Sequence, residues 1–396
     1  MGRPVLHTRL CDILDIEYPV ILAGMGGVAT ADLVAAVSEA GGLGIVGAAS
    51  MPPEEIERQV RRIRDLTSKP FGVDVLLPSG VARPPAAEGK ERTANGKEAV
   101  AAGAPASAPK RPRDYLPAPY QTFITSAEKE FGLPERGQDE DFSQGMRRLG
   151  ASDFSKRQVE AILDLKVPVF AAGLGNPGPY VEAFRAQGAK VIGLVGNVKN
   201  AKRLADSGTD VVVAQGTEAG GHTGRIGTLA LIPQVIDAIA PTPVVAAGGI
   251  GDGRGIAAAL AAGCDGVWIG TAFLVSREAT WPDLLKERIL AATEEDTRVT
   301  RLYSGKTMRN INNPLIEYWE GQKLDALPMG MQGIVSGEIM AGAREANRLE
   351  LLMNPAGQIS GMLHESRPAQ DIFADMVRGA AEILSEGLKR RVQASV

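Results

Sequence analysis

The chain has 396 residues, 44% of them hydrophobic and 23% charged, with a formal net charge of −4. That length fits one α/β barrel carrying insertions, and the slight acidic balance argues against a nucleic-acid partner, which needs a basic excess. No apolar run approaches the roughly 18 residues of a membrane helix.

The amino terminus lacks a basic stretch followed by an apolar core, and Leu6 stands where a myristoylation signal needs Ser or Thr. A cytoplasmic location is expected. Cys11 and Cys264 alone cannot build a disulfide framework or a four-ligand zinc site, so no metal is expected. Cys264 enters an apolar run and reads as a small buried hydrophobe.

In chain order, eight short apolar runs end in glycine or polar loops: Pro19 to Ala23, Leu43 to Val46, Phe71 to Leu77, Val167 to Ala171, Lys190 to Leu194, Asp210 to Ala214, Pro243 to Ala247 and Asp265 to Ile269. Amphipathic stretches lie between most of them, at Ala31 to Ala40, Pro53 to Leu66, Tyr180 to Gln187, Leu229 to Ile239 and Gly255 to Ala262. This is the pattern of a parallel sheet with crossover helices. Eight βα units predict an α/β fold of the (β/α)8 TIM-barrel type. An open doubly wound sheet is the alternative, because periodicity does not register closure.

Two segments stand outside the repeat. Residues 79–150 form a long insertion after strand 3, in which Gly80 to Tyr120 lacks apolar period and should not fold by itself. Helical signs return at Thr125 to Phe131 and Lys156 to Leu165. The insertion emerges on the catalytic rim of a barrel, so part of it is expected to cover the substrate entrance, with Tyr115, Tyr120, Phe123, Phe131 and Phe142 as anchors. A disordered loop or a subunit contact is the competing reading. After Arg298 the chain reads as helical, most clearly at Leu349 to Met353 and Ile372 to Leu388. The expected organisation is a barrel over residues 1–320 and a helical extension over 321–396 packed on it.

Barrel active sites form at the carboxyl ends of the strands, and the loops after strands seven and eight commonly hold a phosphate. Here those loops are Ala247-Gly248-Gly249-Ile250-Gly251-Asp252-Gly253 and Gly270-Thr271. Glycines let backbone N–H groups approach a dianion. Either loop alone reads equally well as a tight turn, but the pair in this order points to phosphate. The sixth loop, Ala214 to Gly224, sets four glycines around His222, one of three histidines. Imidazole suits proton transfer near neutral pH, and its place on the phosphate rim marks His222 as the acid/base candidate. Glu218 reads as a brace for that loop, and His7 and His364 as surface residues.

Gly216-Thr217-Glu218-Ala219-Gly220-Gly221-His222-Thr223-Gly224, with Pro243 to Ile250 and Trp268-Ile269-Gly270-Thr271, resembles the nitronate monooxygenase family, formerly called 2-nitropropane dioxygenases. Tyr18 to Met25 and Pro70 to Asp74 look like that family's first and third strands. The likeness covers about residues 8 to 78 and 155 to 320, with weaker matches at Gly305 to Arg309 and Pro355 to Gln358. The resemblance implies noncovalently bound FMN, contacted by Gln215, Gly220, Gly249, Trp268, Ile269, Gly270 and Thr271. Gly24, Met25, Asp74, Gly221, Gly248 and Gly251 complete the expected cofactor site. Two departures stand out. Asp74 occupies a position that is usually Asn, and a carboxylate donates no hydrogen bond unless protonated. Ala23-Gly24-Met25 replaces the Ala-Pro-Met of many relatives, which should leave more room beside the flavin ring.

The resemblance implies oxidation of nitronates or nitroalkanes with O2, His222 handling the α-proton. The alternative within the same superfamily is reduction of an enoyl thioester, or of a quinone, with NAD(P)H as reductant and His222 serving the α-carbon. A flavin-binding protein without catalysis is disfavoured, since an inert barrel needs neither His222 nor the glycine loops. The expected partner is a small-molecule substrate, with neither nucleic acid nor membrane; a homodimer is left open.

Overall fold

The computed structural model describes residues 4–77, 111–134 and 153–393. Its strands are β1 (Val20–Leu22), β2 (Gly44–Gly47), β3 (Phe71–Leu77), β4 (Val169–Gly175), β5 (Lys190–Val195), β6 (Val211–Gln215), β7 (Gly221–His222), β8 (Val244–Ala247), β9 (Gly266–Ile269), β10 (Thr297–Thr300) and β11 (Met308–Ile311). Eight of these pair in parallel in the order β1-β9-β8-β6-β5-β4-β3-β2. The ring closes where Leu22 N donates to Leu43 O at 2.9 Å and Leu43 N to Val20 O at 3.0 Å. Closure decides for the barrel over the open sheet.

The strands read as continuous apolar runs because both of their faces are covered. Ile21, Ile45, Val169, Val213, Val245 and Trp268 fill the interior, which Leu10 and Leu14 of the Arg9–Leu14 helix join. Val20, Leu22, Val46, Val73 and Val212 face outward onto the helical ring. One outer helix arrives from far along the chain: Ala369–Glu382 packs on both the Gly253–Ala261 and Ala31–Glu39 helices. The approach is close enough that a Cβ on Gly253 would stand 2.4 Å from Ala380 N. Phe373 anchors the same helix, with its ring centroid 6.0 Å from that of Tyr18.

The region after Arg298 departs from the helical expectation. β10 and β11 form an antiparallel hairpin, and β7 adds to its edge with Met308 opposite His222. Helices follow at Pro314–Gly321 and Met331–Glu345, while Leu349–Leu351 makes only a single 3-10 turn.

The described part of the insertion comprises a turn at Pro112–Tyr115 and a helix at Ala118–Phe131. Phe142 and residues 78–110 lie outside the described residues. Leu116, Phe123, Ile124 and Leu133 join Leu302, Leu315, Trp319, Val335 and Ile339 in a second apolar core. Tertiary burial thus holds Leu116, from the part without apolar period, together with the helix that follows it. Phe123 meets Trp319 edge-on at 5.0 Å. Arg113 is buried, with Nη1 3.3 Å from Glu128 Oε1 and 3.2 Å from Glu338 Oε2, and Nη2 donates to Thr125 Oγ1 at 3.1 Å. Among the described residues no helix is long and apolar enough to cross a membrane.

Removing the cation of a buried ionic group leaves its carboxylates desolvated and mutually repelling. Arg113→Ala is therefore expected to destabilise the chain by about 3–5 kcal/mol, read from urea denaturation. A loss under about 1 kcal/mol, the scale of a solvent-exposed pair, would show that the Arg113 cluster does not hold the insertion in place.

Candidate active site

The carboxyl ends of β1, β3, β6, β8 and β9 open into a cavity of about 700 Å³. Gly24, Met25, Asp74, Gln215, Gly220, Gly221, His222, Gly248, Gly249, Trp268, Ile269, Gly270 and Thr271 all line it. Gly251 does not. A Cβ there would lie 3.2 Å from Ile359 Cβ and 3.3 Å from Met362 Cε, so this glycine admits the 358–362 turn against the barrel instead of facing the cavity.

Gly248 and Gly249 follow β8 at φ 93° and 73°, successive left-handed positions that L side chains avoid. After β9, the Thr271 hydroxyl accepts from Gly357 N at 2.9 Å and keeps its own proton to donate. Gly220 lies against the same 355–357 stretch: a Cβ on it would stand 2.6 Å from Ala356 C. The two weak sequence matches, at 305–309 and 355–358, therefore fold back onto the cavity rim.

His222 lies in β7, pinned on both sides, and is not on a free glycine-rich loop. Gln215 Nε2 donates to His222 O at 2.6 Å, Thr223 N to Thr307 O at 3.2 Å, and Thr307 Oγ1 to Thr223 O at 2.8 Å. Arg309 Nε donates to Thr217 O at 3.0 Å. Glu218 braces the loop by accepting from Thr228 N at 2.9 and 3.0 Å and from Thr228 Oγ1 at 2.9 Å. The imidazole Nε2 lies 2.9 Å from Ser304 Oγ. Burial, reinforced by the Lys306 charge, lowers the imidazole pKa to about 4, so the ring is neutral at pH 7. Ser304 is a contact that the sequence reading missed; the nearest signal was the weak match beginning one residue later. His7 and His364 are exposed, as expected, and Cys264 is buried with its thiol pushed up to about 12.

Asp74 is buried, and burial pushes its carboxyl up to about 7 although Gly173 N donates to Oδ1 at 2.6 Å. Near neutrality a large fraction is protonated and can donate. The room expected beside Gly24 is taken by this side chain: a Cβ on Gly24 would fall 2.4 Å from Asp74 Cβ. Across the mouth, Tyr303, Met308, Ser336, Met340 and Arg344 form the roof. No residue of 111–134 lines the cavity. The described part of the insertion packs on the Met331–Glu345 helix, which among the described residues stands at the entrance, and the rest of the expected cover lies outside the described residues. Among the described residues no cluster of His, Cys, Asp or Glu is placed to hold a metal.

A family model described as nitronate monooxygenase matches residues 7–379. The chain belongs to this family. A putative monooxygenase of Mycobacterium tuberculosis is 36% identical over 385 residues, covering 94% of this chain and 96% of the relative. A probable nitronate monooxygenase of Staphylococcus aureus is 32% identical over 387 residues, covering 95% and 98%. Among solved structures, a nitroalkane oxidase from Streptomyces ansochromogenes matches with TM-score 0.74 at 27% identity, covering 96% of this chain and 99% of that one. FabK from Thermotoga maritima matches with TM-score 0.72 at 29% identity, covering 98% and 100%. As a nitronate monooxygenase family member the protein is an oxidoreductase.

Asp74 gives this family member a pH signature. Its folded pKa near 7 exceeds the reference 3.8, so between those values the folded chain holds a proton that the unfolded chain has released. Stability is then lost as pH rises through that window, and the full cost stands above it. Asp74→Asn removes the effect. The variant should gain on the wild type by a few kcal/mol, at about 1.4 kcal/mol per pKa unit, between mildly acidic and mildly alkaline urea titrations. An equal difference at both pH values would mean that the carboxyl titrates normally.

Proposed function

We propose that the cavity binds FMN without a covalent link and that the enzyme oxidises nitronates or nitroalkanes with O2, His222 acting as the base. The residues present fit the cofactor: Gly248 and Gly249 supply backbone that no side chain obstructs, and Thr271 supplies a hydroxyl donor. Bound there, FMN would supply the ring that accepts the substrate's electrons.

The observation that carries the reading is the neutral imidazole of His222 on the cavity wall. An unprotonated ring takes a proton from the acidic carbon beside a nitro group, and the Ser304 hydroxyl at 2.9 Å fixes which way the ring faces. The Met331–Glu345 helix and the β10–β11 hairpin cover the mouth and limit water. The likeness to FabK supports a second reading, reduction of an enoyl thioester with NAD(P)H. That reaction asks for a proton donor, which a ring neutral at pH 7 serves less well. Anaerobic mixing separates the two: a nitronate alone should bleach the flavin, whereas bleaching by NADH or NADPH and not by nitronate would replace the first reading with the second.

Gly249→Val places a branched side chain at φ 73° in the phosphate loop. It should abolish FMN content while circular dichroism stays native, and full flavin occupancy would refute the placement. His222→Asn should retain FMN but lose turnover about 10²-fold or more. The wild-type acid limb on a neutral nitroalkane should fall near pH 4, following the His222 pKa. Turnover within a small factor of wild type would remove His222 from the chemistry.

A further inference from the structure

A second cavity, of about 680 Å³, opens at the carboxyl ends of β4, β5 and β6. It shares Gly173, Leu194, Gln215 and His222 with the first, so the two meet at the imidazole. No residue of the glycine loops after β8 and β9 lines it, which separates it from the proposed flavin-phosphate end. Its walls carry a distinct charge. Arg203 comes from the Val198–Asp206 helix, Arg225 from the loop after β7, and Lys306 from the turn between β10 and β11. Among the described residues no acidic side chain lines this cavity. Among the described residues none of the three cations has an ion-pair partner, although most other buried or rim arginines here are paired or hydrogen-bonded. Asn197 and Asn200 add amide donors on the same wall.

Unpaired cations converging on a concave surface raise the local potential and bind a polyanion through several charge-assisted hydrogen bonds. A small nitronate has no use for a second cavity as large as the one that holds the chemistry. We infer that this cavity takes the diphosphate-bearing nucleotide tail of a larger substrate or reductant whose reactive end lies at His222. The inference rests on the flavin-oxidoreductase reading of the first cavity. Two sources share the tail chemistry, a nicotinamide dinucleotide and a coenzyme A thioester.

The test is calorimetric titration of the FMN-loaded protein with NADH, NADPH and coenzyme A, repeated on Arg203→Gln/Arg225→Gln. At least one of the three should bind, weaken roughly tenfold in the double variant, the scale of a lost charge-assisted contact, and weaken further with added salt. Binding of a dinucleotide alone assigns the site to a nicotinamide reductant, and binding of coenzyme A alone assigns it to a thioester. Absence of all three at millimolar concentration, or binding indifferent to the double variant, overturns the inference. FMN content and nitronate turnover on the same preparation report the first cavity separately. A yellow, active enzyme that binds no nucleotide sinks only this site. A colourless preparation that binds nucleotide through Arg203 and Arg225 sinks only the flavin reading.

Discussion

The pairing of two residues of β7 with β11 is the interaction on which the active region depends. Without it, Gly221 and His222 belong to a glycine-rich loop whose backbone could take many shapes, and ordering such a loop costs entropy at every glycine. With it, the loop is held by a strand more than 80 residues away. Arg309, Thr307 and Gln215 then add side-chain ties to the same few residues. The imidazole is thereby fixed between two cavities. The hairpin that fixes it also carries Tyr303 and Ser304 to the wall and begins the second apolar core, so positioning, enclosure and stability share one set of contacts.

That dependence sets what could be read from the sequence. The eight barrel strands were legible because each is buried on both faces and therefore apolar throughout, and their ends were placed to within a few residues. The glycine loops and His222 were legible because chemistry restricts which residues can serve there. The hairpin was not. Thr297 to Ile311 carries a turn signal at Ser304-Gly305, but its arms do not alternate as exposed strands do, and their strand character comes from pairing with a distant edge that local periodicity cannot register. Gly251 was assigned to the cofactor through its neighbours, although its own reason for being glycine is the 358–362 turn.

Residues 24 and 74 form a coupled pair. Asp74 and Gly24 read separately as two departures from the family pattern, one in hydrogen bonding and one in volume. In the fold the two positions touch, because the residue 74 side chain, whose shape an Asn would share, occupies the space that a larger residue 24 would need. Gly173 completes the arrangement from the third side, donating to Oδ1 while offering no Cβ that would crowd Oδ2. A change at any one of the three positions alters what the other two can hold.

The distant origin of the Ala369–Glu382 helix bears on how this protein is made. Until residue 382 has left the ribosome, the apolar faces of Ala31–Glu39 and Gly253–Ala261 lack the helix that packs between them, and Gly42 lacks the Phe373 ring beside it. A nascent barrel therefore carries an open seam until that helix emerges. Such a seam is a natural station for chaperone engagement, since exposed apolar surface in a partly finished chain is what drives misassembly. Closing the seam waits on a contact between helices more than 300 residues apart and is slow for that reason.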